Sequence, residues 1–322
     1  MNVNPRNAKF LVADIGGTNV KFGLNLSGQP QPYSRLFPSD VMRTEDPIEH
    51  LAAMVGVVIE ESGLAPDVLV ATVPGYLDID EDTVLFAGNL LKLNGRKLAT
   101  ELAALLSFPV YLERDSVLAL MGESVAGAGR GGNAVLGIYF GTGVGAAFIQ
   151  DGHPFRGAGW ALEIGHIPFG NEGRQLSGLK IDCLETYVSG RALRVIADAH
   201  HTPIETIFTV VARDPTTPLA VEVNRFVLDQ AMAVGIASAL FSPDVLVLGG
   251  GVCEMADFPR HQLHDLIESK APFEQTGRRM DLRWAELGWR AVLHGAPKAV
   301  AEHARRQEDK SRTADAIRAV RP

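Results

Sequence analysis

Hydrophobic and polar positions follow the same order in two stretches of the chain. Each stretch consists of an apolar run, a turn rich in glycine and threonine, and a second apolar run; the first covers residues 10–24 and the second residues 135–149. A polar glycine turn follows each of them, at 25–28 and at 150–152. Short apolar runs bounded by glycine are typical of buried strands. The pattern therefore predicts two β-hairpins that belong to two related halves of the chain.

Helix and strand patterns alternate through the rest of the sequence. A helix is predicted over 48–62, where apolar residues recur at helical spacing and Gly63 can end the last turn. Further elements are predicted as strands near 33–37, 68–73 and 110–112 and from 245, and as helices at 97–106, 116–126, 184–199, 220–241 and 297–305. This alternation indicates an α/β fold.

The turns of the two hairpins have a composition suited to binding phosphate. They are formed by Gly16, Gly17 and Thr18 in the first hairpin and by Gly141, Thr142 and Gly143 in the second. Glycines leave backbone N–H groups uncovered, threonine adds a hydroxyl, and Asp14 places a carboxylate at the end of the first strand. On the first turn alone an ordinary hairpin fits equally well. The second copy favours one nucleotide held by both turns.

Two common nucleotide motifs do not fit this sequence. Gly127–Gly132 spells G-x-G-x-x-G, but it follows a predicted helix and precedes a predicted strand, which is the wrong context for a dinucleotide fingerprint. The sequence contains no Walker loop of the form G-x-x-x-x-G-K-[ST]. We therefore expect no nicotinamide cofactor and assign the phosphates to the two hairpin turns.

Composition limits the class of protein. With 322 residues, 46% of them hydrophobic, the chain can bury a large core and is expected to form two domains. A net charge of −8 with dispersed cations argues against a nucleic-acid partner. Met1–Lys9 has no signal-peptide pattern, and no apolar run of about eighteen residues occurs. Because Cys183 and Cys253 also fit reduced thiols, we expect a cytoplasmic protein without a membrane partner.

Three candidate residues lie where predicted elements end or begin. Gly75 follows the strand 68–73 and is either part of an ordinary turn or of the ligand-binding edge of an open sheet. Asn89, beside Gly88, is either a turn former or a ligand contact. Asp115 precedes a predicted helix, where an aspartate can cap the helix or serve as a general base for an attacking hydroxyl; the two roles are compatible.

The densest group of polar residues runs from 157 to 185. Taken alone, His166 fits a structural, hydrogen-bonded histidine better than a ligand. Together with Glu163 and Glu185, however, it supplies donors and acceptors suited to the hydroxyls of a polyol.

These motifs resemble the ROK family (repressors, open reading frames and sugar kinases) of the sugar kinase, hexokinase and actin-like ATPase superfamily. The resemblance rests on the duplicated Gly/Thr hairpins and on the strings Glu-Ile-Gly-His at 163–166 and Cys-Leu-Glu at 183–185, and it covers nearly the whole chain. It implies an α/β, two-domain actin-like ATPase (ribonuclease H-like) fold with a cleft between the domains. It also implies ATP-dependent phosphorylation of a hexose, with Asp115 as the base. The implied substrate-binding residues are Gly75, Asn89, Asp115, Glu163, His166 and Glu185.

The resemblance further implies how the chain is divided and where the nucleotide binds. Residues 1–117 and the helix 297–305 would form a small domain, residues 118–296 a large one, and residues 309–322 a disordered tail. The glycines after the strand from 245 could form a plain turn, but in this superfamily such a loop lies against adenosine; they are Gly249, Gly250 and Gly251. Asp14 would hold Mg²⁺ through water. A homodimer is expected because ROK kinases are often dimers.

The sequence departs from the family at its zinc site. The family binds zinc with a histidine and with the cysteines of a C-x-C-G-x-x-G-C-x-E string, but here Leu176 and Gly178 occupy the first two cysteine positions. His166 and Cys183 supply only two of the usual four ligands. Zinc is therefore not expected unless Glu172, Asp182 or another residue replaces the missing sulfurs.

Three strings look most like bacterial D-allose kinases within this family: 113–115, 165–170 and 249–260. They imply the 6-hydroxyl of D-allose as the phosphate acceptor, with glucokinase, fructokinase and N-acetylhexosamine kinase as alternatives. A non-catalytic sugar-sensing regulator is less favoured. ROK repressors carry a DNA-binding helix-turn-helix ahead of the sugar domain, whereas here only residues 1–9 precede the first predicted strand.

Overall fold

A computed structural model describes residues 4–44, 46–271, 277 and 280–320 of the chain, with side chains up to residue 313. The strands are β1 (Lys9–Ile15), β2 (Asn19–Leu26), β3 (Gln29–Pro38), β4 (Val68–Val73), β5 (Tyr76–Leu77), β6 (Val84–Phe86), β7 (Val110–Arg114), β8 (Ala134–Phe140), β9 (Val144–Gln150), β10 (His153–Pro154), β11 (Val245–Gly249) and β12 (Asp281–Trp284). The helices are α1 (Pro47–Ser62), α2 (Leu98–Leu106), α3 (Asp115–Ala126), α4 (Glu185–Val188), α5 (Gly190–Ala199), α6 (Ile207–Arg213), α7 (Pro218–Phe241), α8 (Arg260–Lys270) and α9 (Ala291–Val320).

Two mixed five-stranded sheets have the same topology. Their strand orders are β3-β2-β1-β4-β7 and β10-β9-β8-β11-β12, and a short β5–β6 hairpin forms a third sheet. In each large sheet the first three strands pair antiparallel and the last two join in parallel. The repeated apolar pattern of the sequence therefore marks the same hairpin in two related sheets, as predicted.

The outer turns, which join each hairpin to its third strand, have the same backbone conformation in both sheets. Ser27 and Gly28 have φ angles of 51° and 84°, and Asp151 and Gly152 have φ angles of 51° and 79°. Two successive residues with positive φ form the turn that matches the twist of antiparallel strands. Small and polar residues tolerate this conformation, so the polar glycine turns predicted from the sequence fix the β2–β3 and β9–β10 connections locally.

The described residues divide into two compact units. The first contains the residues up to Ala126, Ala158–Trp160 and those from Trp289 onward; the second contains Gly127–Gly157 and Ala161–Gly288. The first core packs α1 and α2 on the first sheet, and the second packs α4, α5 and α7 on the second. In the described part of the chain, no helix is long and apolar enough to cross a bilayer.

The division differs from the predicted boundary at residue 117 because α3 packs tightly on α9. A Cβ atom on Gly122 would lie 1.9 Å from the Ala291 carbonyl oxygen, and one on Gly295 would lie 2.2 Å from the Leu118 carbonyl oxygen. Glycine at both positions lets the two backbones touch. All of α3 therefore belongs to the first unit together with α9.

Helix α9 is longer than the predicted helix 297–305 at both ends. It begins at Ala291 and passes through Pro297, which cannot donate to the Leu293 carbonyl one turn earlier. The buried Asn25 side chain replaces that donor, with its Nδ2 atom 2.8 Å from Leu293 O. The helix also continues to Val320, whereas the sequence predicted a disordered tail from residue 309; Lys310 forms an ion pair with Asp80 there.

Candidate functional site

The first glycine turn joins β1 to β2, next to the carboxylate of Asp14. The turn is closed by a hydrogen bond from Gly16 N to Asn19 O at 2.8 Å. Thr72 Oγ1 donates to Asp14 Oδ1 at 2.7 Å and accepts from Ile15 N at 3.0 Å. Burial raises the pKa of Asp14, and the hydrogen bond from Thr72 and the charge of Lys21 oppose that rise in part. Asp14 is thus a fixed carboxylate beside the turn predicted to bind phosphate.

The first turn also touches the predicted sugar ligand Asn89. A Cβ atom on Gly17 would lie 2.8 Å from Asn89 Nδ2, so only glycine lets the two segments approach this closely. Arg43 links them, since its Nη2 donates to Gly17 O at 2.7 Å and its Nε donates to Asn89 O at 3.4 Å. The structure therefore places the glycine turn predicted to bind phosphate and the amide side chain of Asn89 in one local site.

Two further predicted residues, Gly75 and Asp115, follow parallel strands of the first sheet. Thr72 pairs with Asp14 between β4 and β1, and Val73 pairs with Arg114 between β4 and β7. The carboxyl ends of these strands consequently lie at one edge of the sheet, which is the edge that binds ligands in open α/β folds. Gly75 comes two residues after β4, and a Cβ atom there would lie 2.0 Å from Phe86 O. This contact brings the Asn89 segment to the same edge.

Asp115 comes directly after β7 as the first residue of α3. Its exposed side chain accepts a hydrogen bond from Ser116 N at 2.6 Å through Oδ1. This bond to the neighbouring residue fixes the orientation of a carboxylate at the sheet edge.

The second glycine turn, between β8 and β9, is organised around Glu185. A hydrogen bond from Gly141 N to Gly143 O at 3.0 Å closes the turn. Glu185 Oε2 accepts from Val144 N at 2.9 Å, and a Cβ atom on Gly143 would lie 2.6 Å from this oxygen. Arg191 Nη1 lies 3.8 Å from Glu185 Oε1. The carboxylate is thus held at the turn by a backbone donor and a cation.

A break in the predicted helix 184–199 allows this arrangement. The chain forms α4 and α5 with Ser189 between them, and Ser189 Oγ caps α5 by accepting from Ala192 N at 3.2 Å. Gly190 N donates to Gly141 O at 2.8 Å, and Arg191 N donates to Thr142 O at 3.3 Å. The start of α5 therefore holds the carbonyl groups of the second turn, which a continuous helix would not do.

Glu163 directly precedes a short 3-10 helix, Ile164–His166, which ends at His166 and lies beside the second turn. His166 N donates to Glu163 O at 3.1 Å, and a Cβ atom on Gly165 would lie 3.0 Å from Glu185 Oε2. The buried Leu162 precedes them with a φ of 65°, which is uncommon for a residue of this size. The structure thus places Gly165, within the polar string 163–166, against Glu185.

Gly249, the last residue of β11, and the next residue, Gly250, lie against the end of β8. A Cβ atom on Gly249 would lie 3.1 Å from the Tyr139 ring, and one on Gly250, where φ is 93°, would lie 2.5 Å from Phe140 O. A Cβ atom on Gly251 would meet nothing within 4 Å. Gly249 and Gly250 are therefore required for packing, whereas Gly251 leaves an open backbone surface. Such a surface fits the close approach of a nucleotide.

Comparison with known proteins shows the family of the chain. A model of the ROK family matches residues 11–303. The chain belongs to the ROK family. An N-acetyl-D-glucosamine kinase of Escherichia coli O9:H4 (strain HS) is 26% identical over 271 residues, which are 78% of this chain and 89% of that protein.

Crystal structures of ROK proteins have the same fold. The ROK hexokinase from Thermus thermophilus is 26% identical with a TM-score of 0.75, over 90% of this chain and 97% of that chain. A ROK family glucokinase from Streptomyces griseus in complex with glucose and AMPPNP is 26% identical with a TM-score of 0.73, over 90% and 98%. These likenesses confirm the predicted two-domain actin-like ATPase fold.

In the segment that corresponds to the ROK zinc pattern, the carboxylate of Asp182 bonds to neighbouring backbone groups and to a tyrosine. Asp182 accepts hydrogen bonds from Gly173 N at 3.0 Å, Arg174 N at 2.8 Å and the Tyr187 hydroxyl at 2.6 Å. The Tyr187 bond is the main reason why the pKa of Asp182 is lowered. Cys183 is buried, and burial raises the pKa of its thiol. Within the residues described, no three His, Cys, Asp or Glu side chains are grouped to hold a metal ion.

Two cations at the ROK site were missed by sequence reasoning. Arg43 contacts the first turn and Arg191 contacts Glu185, yet neither lies within a motif. Arg43 is 26 residues from its partner Gly17, so no local pattern could connect them. Arg191 follows Gly190 at the beginning of α5, and the unpredicted helix break is the signal that would have identified it.

Proposed function

We propose that this ROK chain is a hexose kinase that transfers the γ-phosphoryl group of ATP to a sugar hydroxyl. The observation that carries the proposal is the contact between the first glycine turn and Asn89, on the sheet edge that also bears Asp14 and Asp115. A turn that can bind phosphate, an amide suited to a hydroxyl and a candidate base then belong to one unit. The sugar-kinase names of the relatives described above support the same class of enzyme.

Asp115 takes the role of general base. Its bond from Ser116 N fixes the carboxylate at the end of β7, and a carboxylate there can orient the attacking hydroxyl and accept its proton as the bond to phosphorus forms. The uncovered N–H groups of both glycine turns would stabilise the negative charge of the transferring group.

Asp14 is the residue best suited to a magnesium site. Its carboxylate is held by Thr72 and lies opposite Lys21 in the β1–β2 ladder, and burial disfavours its charge until a cation compensates it. Bound Mg²⁺, which we expect to be held through water, would neutralise charge on the ATP phosphates.

The sugar hydroxyls are assigned to the remaining polar residues. They are Asn89, Glu163, His166 and Glu185; Gly165, between Glu163 and His166, touches Glu185. Gly75 fixes the segment before Asn89 through its approach to Phe86. The nucleotide is assigned to both glycine turns and to Gly249–Gly251.

We assign the 6-hydroxyl of D-allose as the acceptor on the strings at 113–115, 165–170 and 249–260, which look most like those of bacterial D-allose kinases. Allose differs from glucose only at the 3-hydroxyl. A site that binds one epimer leaves a buried polar group unpaired with the other, at a cost of about 1–3 kcal/mol. Glucose should therefore still be phosphorylated, but slowly.

A coupled ADP-release assay with Mg-ATP tests the acceptor across D-allose, glucose, fructose, mannose, N-acetylglucosamine and N-acetylmannosamine. D-Allose is expected to give the highest kcat/KM, about tenfold or more above glucose. If another sugar exceeds allose tenfold, the kinase proposal stands and the acceptor assignment is wrong. If no sugar stimulates ADP release, the kinase proposal itself is wrong.

A further inference from the structure

A buried carboxylate lies in the turn between β5 and β6. Glu81 is 8% exposed and has a left-handed backbone with a φ of 58°. Burying a carboxylate is unfavourable unless a cation or donor compensates it. Glu81 Oε2 forms an ion pair with Arg306 and lies 3.9 Å from His303 Nδ1. The last helix, α9, therefore supplies the charge that this hairpin needs.

A second ion pair joins the same two elements, between Lys310 of α9 and Asp80 of the hairpin. His303, Arg306 and Lys310 recur at the spacing that places residues on one face of a helix. The His303 ring also packs edge-on against Tyr111, with centroids 4.8 Å apart. We name these contacts the C-terminal clamp; its residues are Asp80, Glu81, His303, Arg306 and Lys310.

The clamped hairpin leads directly into the Asn89 segment. β6 ends at Phe86, and Ala87 N donates to Asn94 Oδ1 at 2.7 Å while Leu90 N donates to Ala87 O at 3.0 Å. Gly75, at the start of the hairpin, touches the Phe86 carbonyl. Because these segments are bonded to one another, a displacement of the hairpin would displace Asn89 as well.

Two of the three basic residues of the C-terminal clamp lie beyond the residues that the family model matches. The ROK model ends at residue 303, whereas Arg306 and Lys310 follow it. We propose that the C-terminal clamp positions Asn89 for sugar binding, so that the helix after residue 303 is a determinant of sugar affinity in this chain. The proposal rests on the proposed role of Asn89 as a sugar ligand. Glu81 and Arg306 are accordingly positioning residues.

Steady-state kinetics of Arg306→Gln and Glu81→Gln, with the hexose that the panel shows to be turned over best, test the clamp. Either change is expected to raise the sugar KM about tenfold and to leave kcat and the ATP KM within about twofold. The double variant should be no worse than either single one, because both remove the same interaction. Arg306→Lys keeps the charge and should recover most of the sugar affinity.

The matched control is Arg35→Gln, which removes an exposed ion pair with Glu61 at 3.3 Å in the same unit. Exposed pairs contribute little, so this variant should keep the wild-type sugar KM. An equal rise in the sugar KM for Arg35→Gln would show a general effect of lost charge and would overturn the clamp.

Hydrogen exchange separates failure of the clamp from failure of the sugar site. Amides of residues 77–86 should exchange about tenfold faster in Arg306→Gln, whereas those of β8 and β9 should not change. Unchanged exchange overturns the clamp, as does faster exchange with a wild-type sugar KM when Asn89→Ala raises that KM. If Asn89→Ala leaves the sugar KM unchanged, the proposed role of Asn89 is wrong, and the exchange rates still decide whether α9 holds the hairpin.

Discussion

The two hairpins that carry the glycine turns have the same fold and different chemistry. Next to the turn, Ile15 pairs with Val20 in the first hairpin and Phe140 pairs with Val144 in the second. One step further out, the first hairpin has the charged pair Asp14 and Lys21, whereas the second has Tyr139 and Gly145. Tyr139 packs on Gly249. The same position thus provides a candidate metal carboxylate in one copy and supports the glycine loop in the other.

The last strands of the two sheets differ in the same way. β7 is followed by Asp115, whereas β12 is followed by Ala285, whose N–H donates to Leu248 O at 2.8 Å. The two sheets share one strand arrangement, and at these two matching positions the first has the carboxylates Asp14 and Asp115 whereas the second has Tyr139 and Ala285. We infer that the groups that act on the proton and the metal come from the first unit.

The largest effect is expected for Asp115→Asn. Asparagine keeps the shape and the oxygen that accepts a hydrogen bond from Ser116 N, but it cannot accept the proton of the sugar hydroxyl. The kcat should therefore fall about a hundredfold or more with sugar binding largely retained. Asp151→Asn, in the outer turn of the second hairpin, is the control and should keep its activity. Near wild-type turnover of Asp115→Asn, with folding verified, would show that the base is another residue.

Asp14→Asn should lower turnover about thirtyfold by weakening the magnesium site. Tyr139→Phe, at the matching position of the second hairpin, should change turnover less than about twofold, since the ring still packs on Gly249. A similar loss in both variants would contradict the difference between the copies.

The stability of Asp14→Asn should move in the opposite direction from its activity. Burial raises the folded-state pKa of Asp14, so its contribution to stability is fully present below the unfolded pKa and is lost as pH rises through the folded pKa. At neutral pH and without Mg²⁺ the carboxylate is therefore unfavourable, and urea unfolding should show Asp14→Asn to be at least as stable as wild type. Clear destabilisation would mean that the charge of Asp14 supports the fold.

Alanine at the two turns should act through different partners. A methyl group on Gly17 meets Asn89 and one on Gly143 meets Glu185, so each change should raise the sugar KM about tenfold. In the Asn89→Ala variant, adding Gly17→Ala should raise the sugar KM little further. The same should hold when Gly143→Ala is added to Glu185→Ala. Additive losses in either cycle would show that the methyl group acts on something else, such as the nucleotide.

The smallest effect on turnover is expected for Asn25→Ile, which introduces the residue of the matching position, Ile149. Loss of the amide leaves Leu293 O without its donor and should lower the free energy of unfolding by about 1–3 kcal/mol. Pro297→Ala restores an N–H one turn later and should recover much of this loss, as measured by urea unfolding. No recovery would mean that Asn25 stabilises the fold in another way.

The sequence predicted features that depend on neighbouring residues and missed those that depend on distant ones. The hairpins follow from local glycine turns and apolar runs, and so does the helix 47–62 that Gly63 ends. Pro297 is a reasonable helix start by local rules, but its missing donor is supplied by Asn25 from the other end of the chain.

The candidate site shows the same limit. Its motif residues were proposed from the sequence, but the contact of Glu185 with the second turn was not predicted. Arg43 and the break at Ser189 depend on contacts with Gly17 and Gly141, which are distant in the sequence, so periodicity carries no signal for them. Arg191 became apparent only with that break. Asp182, which accepts hydrogen bonds from Gly173 N and the Tyr187 hydroxyl, was considered only as a replacement metal ligand.

The most direct test of the account is to identify the products formed by the purified chain from Mg-ATP and D-allose, with Asp115→Asn beside it. We predict ADP and hexose 6-phosphate in equal amounts, and at least about a hundredfold less of both with Asp115→Asn at a similar sugar affinity. ATP hydrolysis without sugar phosphate, or sugar phosphate formed equally well by Asp115→Asn, would contradict it.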